Sequence, residues 1–135
     1  WSGAFGSAYL YFLIPQIILF RERHNRQTLV NSVDFISAPG LSSKQTYRPG
    51  GPSHLITNLC VFVFDRTRKT FSLKTIHPGH SIEEVLDETG FEFEYSAQPK
   101  ETQTPSLPVL KTLRNQVNLE ISKIYPEFAL KIWSN

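Results

Sequence analysis

The order of elements legible in the chain predicts an α/β fold, an open mixed or parallel sheet flanked by helices. Three observations carry that reading. Residues 16–20 (QIILF) form a continuous apolar run of the length expected for a fully buried parallel strand. Residues 54–65 and 70–76 are β-branched and aromatic, and the charged stretch 65–69 between them reads as a tight reversal. A capped helix and a third strand follow at once. There Phe91, Phe93 and Tyr95 alternate with Glu92, Glu94 and Ser96, the pattern of a half-buried strand.

Taken in order, residues 3–7 (GAFGS) form a small-residue turn, residues 8–13 a short helix, and Pro15 separates that helix from the strand at 16–20. Arg21, Glu22, Arg23, His24 and Arg26 make a polar loop, read as solvated because Glu22 interrupts the basic run. Residues 28–32 are ambiguous. Residues 33–37 (VDFIS) alternate enough for a strand, which Pro39 and Gly40 end. The Ser-, Gly- and Pro-rich stretch 41–52 is a long surface loop of the kind that often carries function. Residues 54–65 read as one central strand, and residues 70–76 return antiparallel to it.

Helix grammar is clearest from Ser81 onward. Ser81 is an N-cap with Glu84 as its capping-box partner, and Glu83 and Glu84 put negative charge in the first turn. Ile82, Val85 and Leu86 form one apolar face, and Gly90 stands where a left-handed C′ residue would close the helix. Residues 98–108 are a Pro- and Thr-rich linker. A helix is expected from Leu107 or Pro108 to Val117, with Leu110, Leu113 and Val117 on one face, and residues 119–135 are helix or a final strand. The domain organisation expected is therefore one domain over 1–117, with a tail at 118–135 packed on it.

Composition bounds the function. The 135 residues are 40% hydrophobic and 13% aromatic, ordinary for a folded domain. Fourteen Lys and Arg against twelve Asp and Glu give a formal charge of +2, with no basic stripe to favour nucleic acid. The apolar run 8–20 is too short to span a membrane and carries Pro15 and Gln16. It also lacks signal-peptide features, so a cytoplasmic location is the expectation. The single cysteine, Cys60, lies among apolar neighbours and is expected to pack in the core. The sequence contains no methionine, which suggests a fragment, a processed chain or a piece of a longer polypeptide.

No local motif announces a catalytic site. His77 and His80 bracket Pro78 and Gly79, but no further ligands stand at metal-site spacing. Glu83, Glu84, Asp87 and Glu88 read as the solvated face of a helix. GAFGS lacks both the GxGxxG order and a Walker lysine, and no serine shows the GxSxG elbow.

Several linked blocks nevertheless resemble one family. VDFISAPG (33–40), GGP (50–52), ITNLCVFVFD (56–65), HPGHSIEEV (77–85) and TGFEF (89–93) look like successive blocks in the second half of the β subunit of glutaconate CoA-transferase-type family I CoA-transferases. Their order and spacing fit, the stretch TPSLPVLKTLRNQV resembles that family's tail, and the likeness runs from about Gly3 to Val117. The resemblance implies the NagB/RpiA-like open α/β fold and a hetero-oligomer of α and β subunits. It implies an acyl-CoA thioester and a carboxylate as substrates, with no bound cofactor and no metal. In that family a β-subunit glutamate attacks the acyl-CoA, passing through an acyl anhydride and a glutamyl-CoA thioester. Backbone donors near a glycine-rich loop stabilise the oxyanion. Related members hydrolyse CoA esters of ring-opened steroid intermediates.

Two departures accompany the resemblance. The Ser-Glu-Asn-Gly-like block that carries the family's nucleophile is missing, so no catalytic residue is named in this chain. The family's GGGGxND-like loop stands here as GAFGSAY, with Ala4 and Phe5 in place of glycines. By the resemblance, Gly3, Gly6, Ser7, Gly50 and Gly51 line or border the acyl-CoA site. The expected partner is an α subunit or a second copy of the chain. The alternatives are a CoA-ester hydrolase β subunit and a free-standing, non-catalytic binding or assembly module.

Overall fold

Six strands form one mixed sheet in the computed structural model, which describes residues 6–133. Helix α1 (Ser7–Leu13) leads through Pro15 into β1 (Ile17–Phe20), which runs parallel to β2 (Pro52–Ile56). Parallel neighbours need a long crossover, and residues 21–51 supply it. The chain then reverses twice, so that β3 (Cys60–Asp65) pairs antiparallel with β2 and β4 (Thr70–Ile76) pairs antiparallel with β3. Helix α2 (Ile82–Glu88) follows, and β5 (Phe93–Glu94) and β6 (Lys100–Glu101) lie one after the other on the far edge of β4. Both are parallel to β4, and the sheet order is β1-β2-β3-β4-β5, with β6 also on β4.

Local chemistry explains each reversal. At residues 57–59 the Thr57 hydroxyl accepts the backbone N–H groups of Leu59 and Cys60, both at 3.1 Å. At the next turn the Asp65 carboxylate accepts the N–H of Thr67 (2.8 Å) and of Arg68 (3.0 Å). Ahead of α2, the His80 N–H donates to the His77 carbonyl at 3.2 Å across Pro78 and Gly79. Gly79 has φ +85°, the conformation that the third position of a type II turn demands. Ser81 then caps α2, accepting the Glu84 N–H at 3.2 Å.

The core lies between the sheet and α2. Phe62, Cys60 and Val85 are the largest fully buried side chains, joined by Leu29, Leu55, Leu59, Leu73 and Ile76. Phe62 is its centre, with its ring centroid 6.1, 5.8 and 4.9 Å from those of Phe71, Phe91 and Phe93. Burying one such side chain contributes about 1.5–3 kcal/mol.

Several expectations are corrected. Residues 54–65 are two strands, because Thr57 turns the chain in the middle. Residues 33–37 form no strand, and Val33, Phe35 and Ile36 are exposed. β1 is parallel as expected but sits at the sheet edge, so Ile18 and Phe20 remain 57% and 68% exposed. Within the polar loop after β1, His24 is buried. Gly90 is not left-handed: α2 ends at Thr89 in extended backbone, and Gly90 is needed for close approach instead. Its N–H donates to the Leu29 carbonyl at 2.8 Å, and a Cβ there would collide with that carbonyl. The strand at 91–96 shortens to Phe93 and Glu94, and the linker at 98–108 contains β6.

The chain divides into two compact units, one ending at Thr102 and the other beginning at Gln103. In the second, α3 (Leu107–Thr112) passes through a π-helical turn (Leu113–Val117) into α4 (Asn118–Ile124). Pro126 opens α5 (Pro126–Trp133), so the ambiguous tail is helical. Ala129 is buried beside Asn118, Ser122 and Trp133.

Candidate functional site

Gly50 and Gly51 stand where the long crossover re-enters the sheet, immediately before β2. Both are buried. A Cβ on Gly50 would sit inside the Ile14 carbonyl, and Gly51 has φ +144°, a backbone that L side chains rarely adopt. The Gly51 carbonyl also accepts the Ile17 N–H at 3.0 Å, fixing the start of β1. Gly6 lies at the other end of α1. The span from Gly6 to Ile14 is about 12 Å at 1.5 Å per residue. Thus α1 separates Gly6 and Ser7 from the Gly50–Gly51 pair. No described residue comes within 4 Å of where a Gly6 Cβ would stand, and Ser7 begins the helix. Gly3 lies outside the described residues.

Beside the glycine pair is an arginine that sequence reasoning does not single out. The Arg48 guanidinium lies over the Phe12 ring, 4.5 Å from its centroid, within cation–π range. Its Nη2 donates to the Pro39 carbonyl. Its Nε and Nη1 are shielded from solvent and have no acceptor among the described residues. Burial, and secondarily the charge of Arg66, push its pKa below the ordinary arginine value. The only signal in the sequence is position, an arginine two residues before a glycine pair.

A second polar cluster ties the first crossover to the hairpin and to α2. The Thr89 hydroxyl donates to the Val85 carbonyl at 2.6 Å, so it accepts from His24 Nε2 at 2.8 Å. His24 Nδ1 is then the acceptor, facing the Thr57 hydroxyl at 2.9 Å. Asn58 Oδ1 accepts the His24 backbone N–H at 2.8 Å. Burial holds the imidazole below its ordinary 6.5, with the Glu84 carboxylate partly opposing. This geometry holds a neutral ring in one orientation and leaves it no nitrogen for chemistry.

Cys60, His77 and His80 are also engaged. Cys60 is fully buried and its thiol is pushed up to about 11 by burial, against a smaller opposing hydrogen bond from Thr57. His77 uses both ring nitrogens, Nε2 donating to the Thr57 carbonyl (3.0 Å) and Nδ1 lying 2.9 Å from Thr102 Oγ1. His80 Nδ1 is 2.8 Å from a Glu84 carboxylate oxygen. Among the described residues no three His, Cys, Asp or Glu side chains gather as a metal site, and no helix is long and apolar enough to cross a membrane.

Comparison with known proteins places this architecture. The chain is 32% identical over 104 residues to the β subunit of the 3-oxoadipate CoA-transferase of Pseudomonas knackmussii, covering 73% of this chain and 39% of that protein. It is 28% identical over 103 residues to the β subunit of the glutaconate CoA-transferase of Acidaminococcus fermentans, covering 71% and 38%. The cholesterol ring-cleaving hydrolase IpdB subunit of Rhodococcus jostii is 28% identical over 96 residues, covering 68% and 38%. The crystal structure of IpdAB from the same organism superposes with a TM-score of 0.75 at 25% identity, over 85% of this chain and 48% of that one. No family model matches the chain. The chain spans about two fifths of the length of the curated relatives it matches.

Proposed function

From the premise that this chain is a relative of the CoA-transferase β subunits in sequence and fold, we propose that it is the β-subunit portion of a CoA-transferase acting on acyl-CoA thioesters and carboxylic acids. In this reading it supplies scaffold and part of the CoA-ester pocket, and an α subunit completes the assembly. The observation that carries the proposal is the 32% identity to the 3-oxoadipate CoA-transferase β subunit over most of this chain. The close approach at Gly50 is made by the chain's own Ile14 carbonyl, so the place of Gly50 and Gly51 in the pocket rests on the family likeness alone. Ile18 and Phe20, on the edge strand, and Val33, Phe35 and Ile36 are exposed apolar side chains, as expected of a surface covered by a partner.

No glutamate of this chain is assigned the nucleophile's role. The test is reconstitution with an α subunit and assay of CoA transfer from a panel of acyl-CoA donors to carboxylate acceptors. Transfer that Gly51→Ala and Gly6→Ala alter in Michaelis constant or turnover supports the reading. Transfer indifferent to both removes these glycines from the site, and a complex inactive with every pair sinks the reading.

A hydrolase is the second reading, favoured by the IpdB likeness and the 0.75 superposition on IpdAB. Release of free CoA without a carboxylate acceptor would select it.

A further inference from the structure

Arg48 belongs to a loop whose ends meet, because a Cβ on Gly51 would lie 3.6 Å from the Gly40 carbonyl. Such compact loops are often functional. Inside it the guanidinium is pinned by the Pro39 carbonyl and the Phe12 ring. Nε and Nη1 remain shielded from water and without acceptors among the described residues. Folded proteins leave few buried donors unpaired, and each calls for a water, an ion or a ligand.

Charge selects among those. Arg66 donates from Nη2 to the Arg48 carbonyl at 3.3 Å, bringing a second guanidinium to the same loop. The ion pairs among the described residues join Arg68 to Asp65 and Glu94, His80 to Glu84, and Lys123 to Glu120, and none includes Arg48. A permanent cation with unpaired N–H groups and a like charge nearby binds an anion far better than a neutral acceptor, through charge-assisted hydrogen bonds. Access is through the loop itself. Residues 42–47 are exposed and held by one local turn, Thr46 N–H to the Ser43 carbonyl, so opening them breaks no strand pairing.

We propose that Arg48, on its Phe12 platform beside Gly50 and Gly51, is an oxyanion-binding residue that takes a carboxylate or phosphate group. The choice of ligand rests on the CoA-ester reading, where the anion is a phosphate of coenzyme A or the carboxylate of the acid substrate. Anion binding itself does not depend on that reading.

The experiment is calorimetric titration of the 135-residue chain with adenosine 3′,5′-bisphosphate and, separately, with glutarate, repeated on Arg48→Gln. Saturable binding of either anion, weakened at least tenfold by the substitution, is the expected result. The bisphosphate would identify the coenzyme as the source, and glutarate the acid. Binding of neither, or binding that Arg48→Gln leaves unchanged, overturns the proposal. Should Arg48→Gln fail to fold, the Arg48 Nε–H resonance of the wild-type chain decides. It must shift on titration with the anion, and a resonance that stays in place is equally fatal. A reconstituted complex without acyl transfer, alongside intact anion binding, removes the CoA-ester reading alone.

Discussion

His24 joins three segments distant in sequence, its partners Thr57 and Thr89 lying 33 and 65 residues away. Its folded-state pKa lies below the ordinary 6.5, chiefly through burial. Between those two values the unfolded chain binds the extra proton and the folded chain does not. Stability from the neutral ring is therefore fully present above about pH 6.5 and declines as pH falls toward the folded value. One proton sets a ceiling of about 1.4 kcal/mol per pH unit. Urea midpoints should fall between pH 7.5 and 5.5, and His24→Gln should flatten that slope; an unchanged slope would exclude His24 as its source. Cys60, close by, gives a second expectation. With its pKa near 11 only about one thiol in a thousand is ionised at pH 8, and the group is fully buried. An aromatic disulfide reagent should leave the native chain unmodified and titrate one thiol in urea, whereas rapid native labelling would contradict the core placement. Neither the burial of His24 nor the shielding of Arg48 Nε and Nη1 is legible in the sequence. Each sits in a polar stretch that reads as solvated, and what encloses it lies outside any local window, Thr57 and Thr89 for His24 and Phe12 and Pro39 for Arg48.

Gly90 marks where the crossover and α2 meet. Val30 bridges Gly90 in parallel, and the Leu29 carbonyl accepts the Gly90 N–H. That carbonyl occupies the space a Cβ needs, so Gly90→Ala must push the two backbones apart. A loss of about 1–3 kcal/mol is expected, by analogy with other overpacked sites, and read as a lower urea midpoint at unchanged m-value. Wild-type stability in the variant would mean the crossover gives way freely. The same glycine shows what sequence grammar resolves at this scale. The start of α2 is legible because Ser81 and Glu84 interact within one turn. Its end is not, because Gly90 answers to Leu29, outside any local window. Likewise, the turn at Asp65 is visible from its charges, whereas the turn at Thr57 hides in an apolar run and depends on one hydroxyl. At the candidate site the two glycines divide in the same way: Gly51 is required by its own backbone, with φ +144°, whereas Gly50, like Gly90, answers to a distant carbonyl, that of Ile14.

At the scale of the whole chain, the boundary between compact units carries its own expectation. Thr102 is tied down: its N–H donates to the Ile76 carbonyl at 2.7 Å and its hydroxyl lies 2.8 Å from Thr75 Oγ1. Residues 103–106 are exposed and belong to neither sheet nor helix before α3 starts at Leu107. Proteolysis follows local opening, and an exposed stretch outside both sheet and helix opens most cheaply. Brief digestion with a protease of broad specificity should therefore cut first within residues 103–106. The β-sheet of the first unit closes upstream of that cut through β4, β5 and β6, so the fragment ending there should retain strand content and unfold in a cooperative transition. First cuts within residues 52–76 would show that the sheet is less stable than its pairing implies. A fragment cut at 103–106 that loses cooperative unfolding would show that the sheet requires the helices after Gln103.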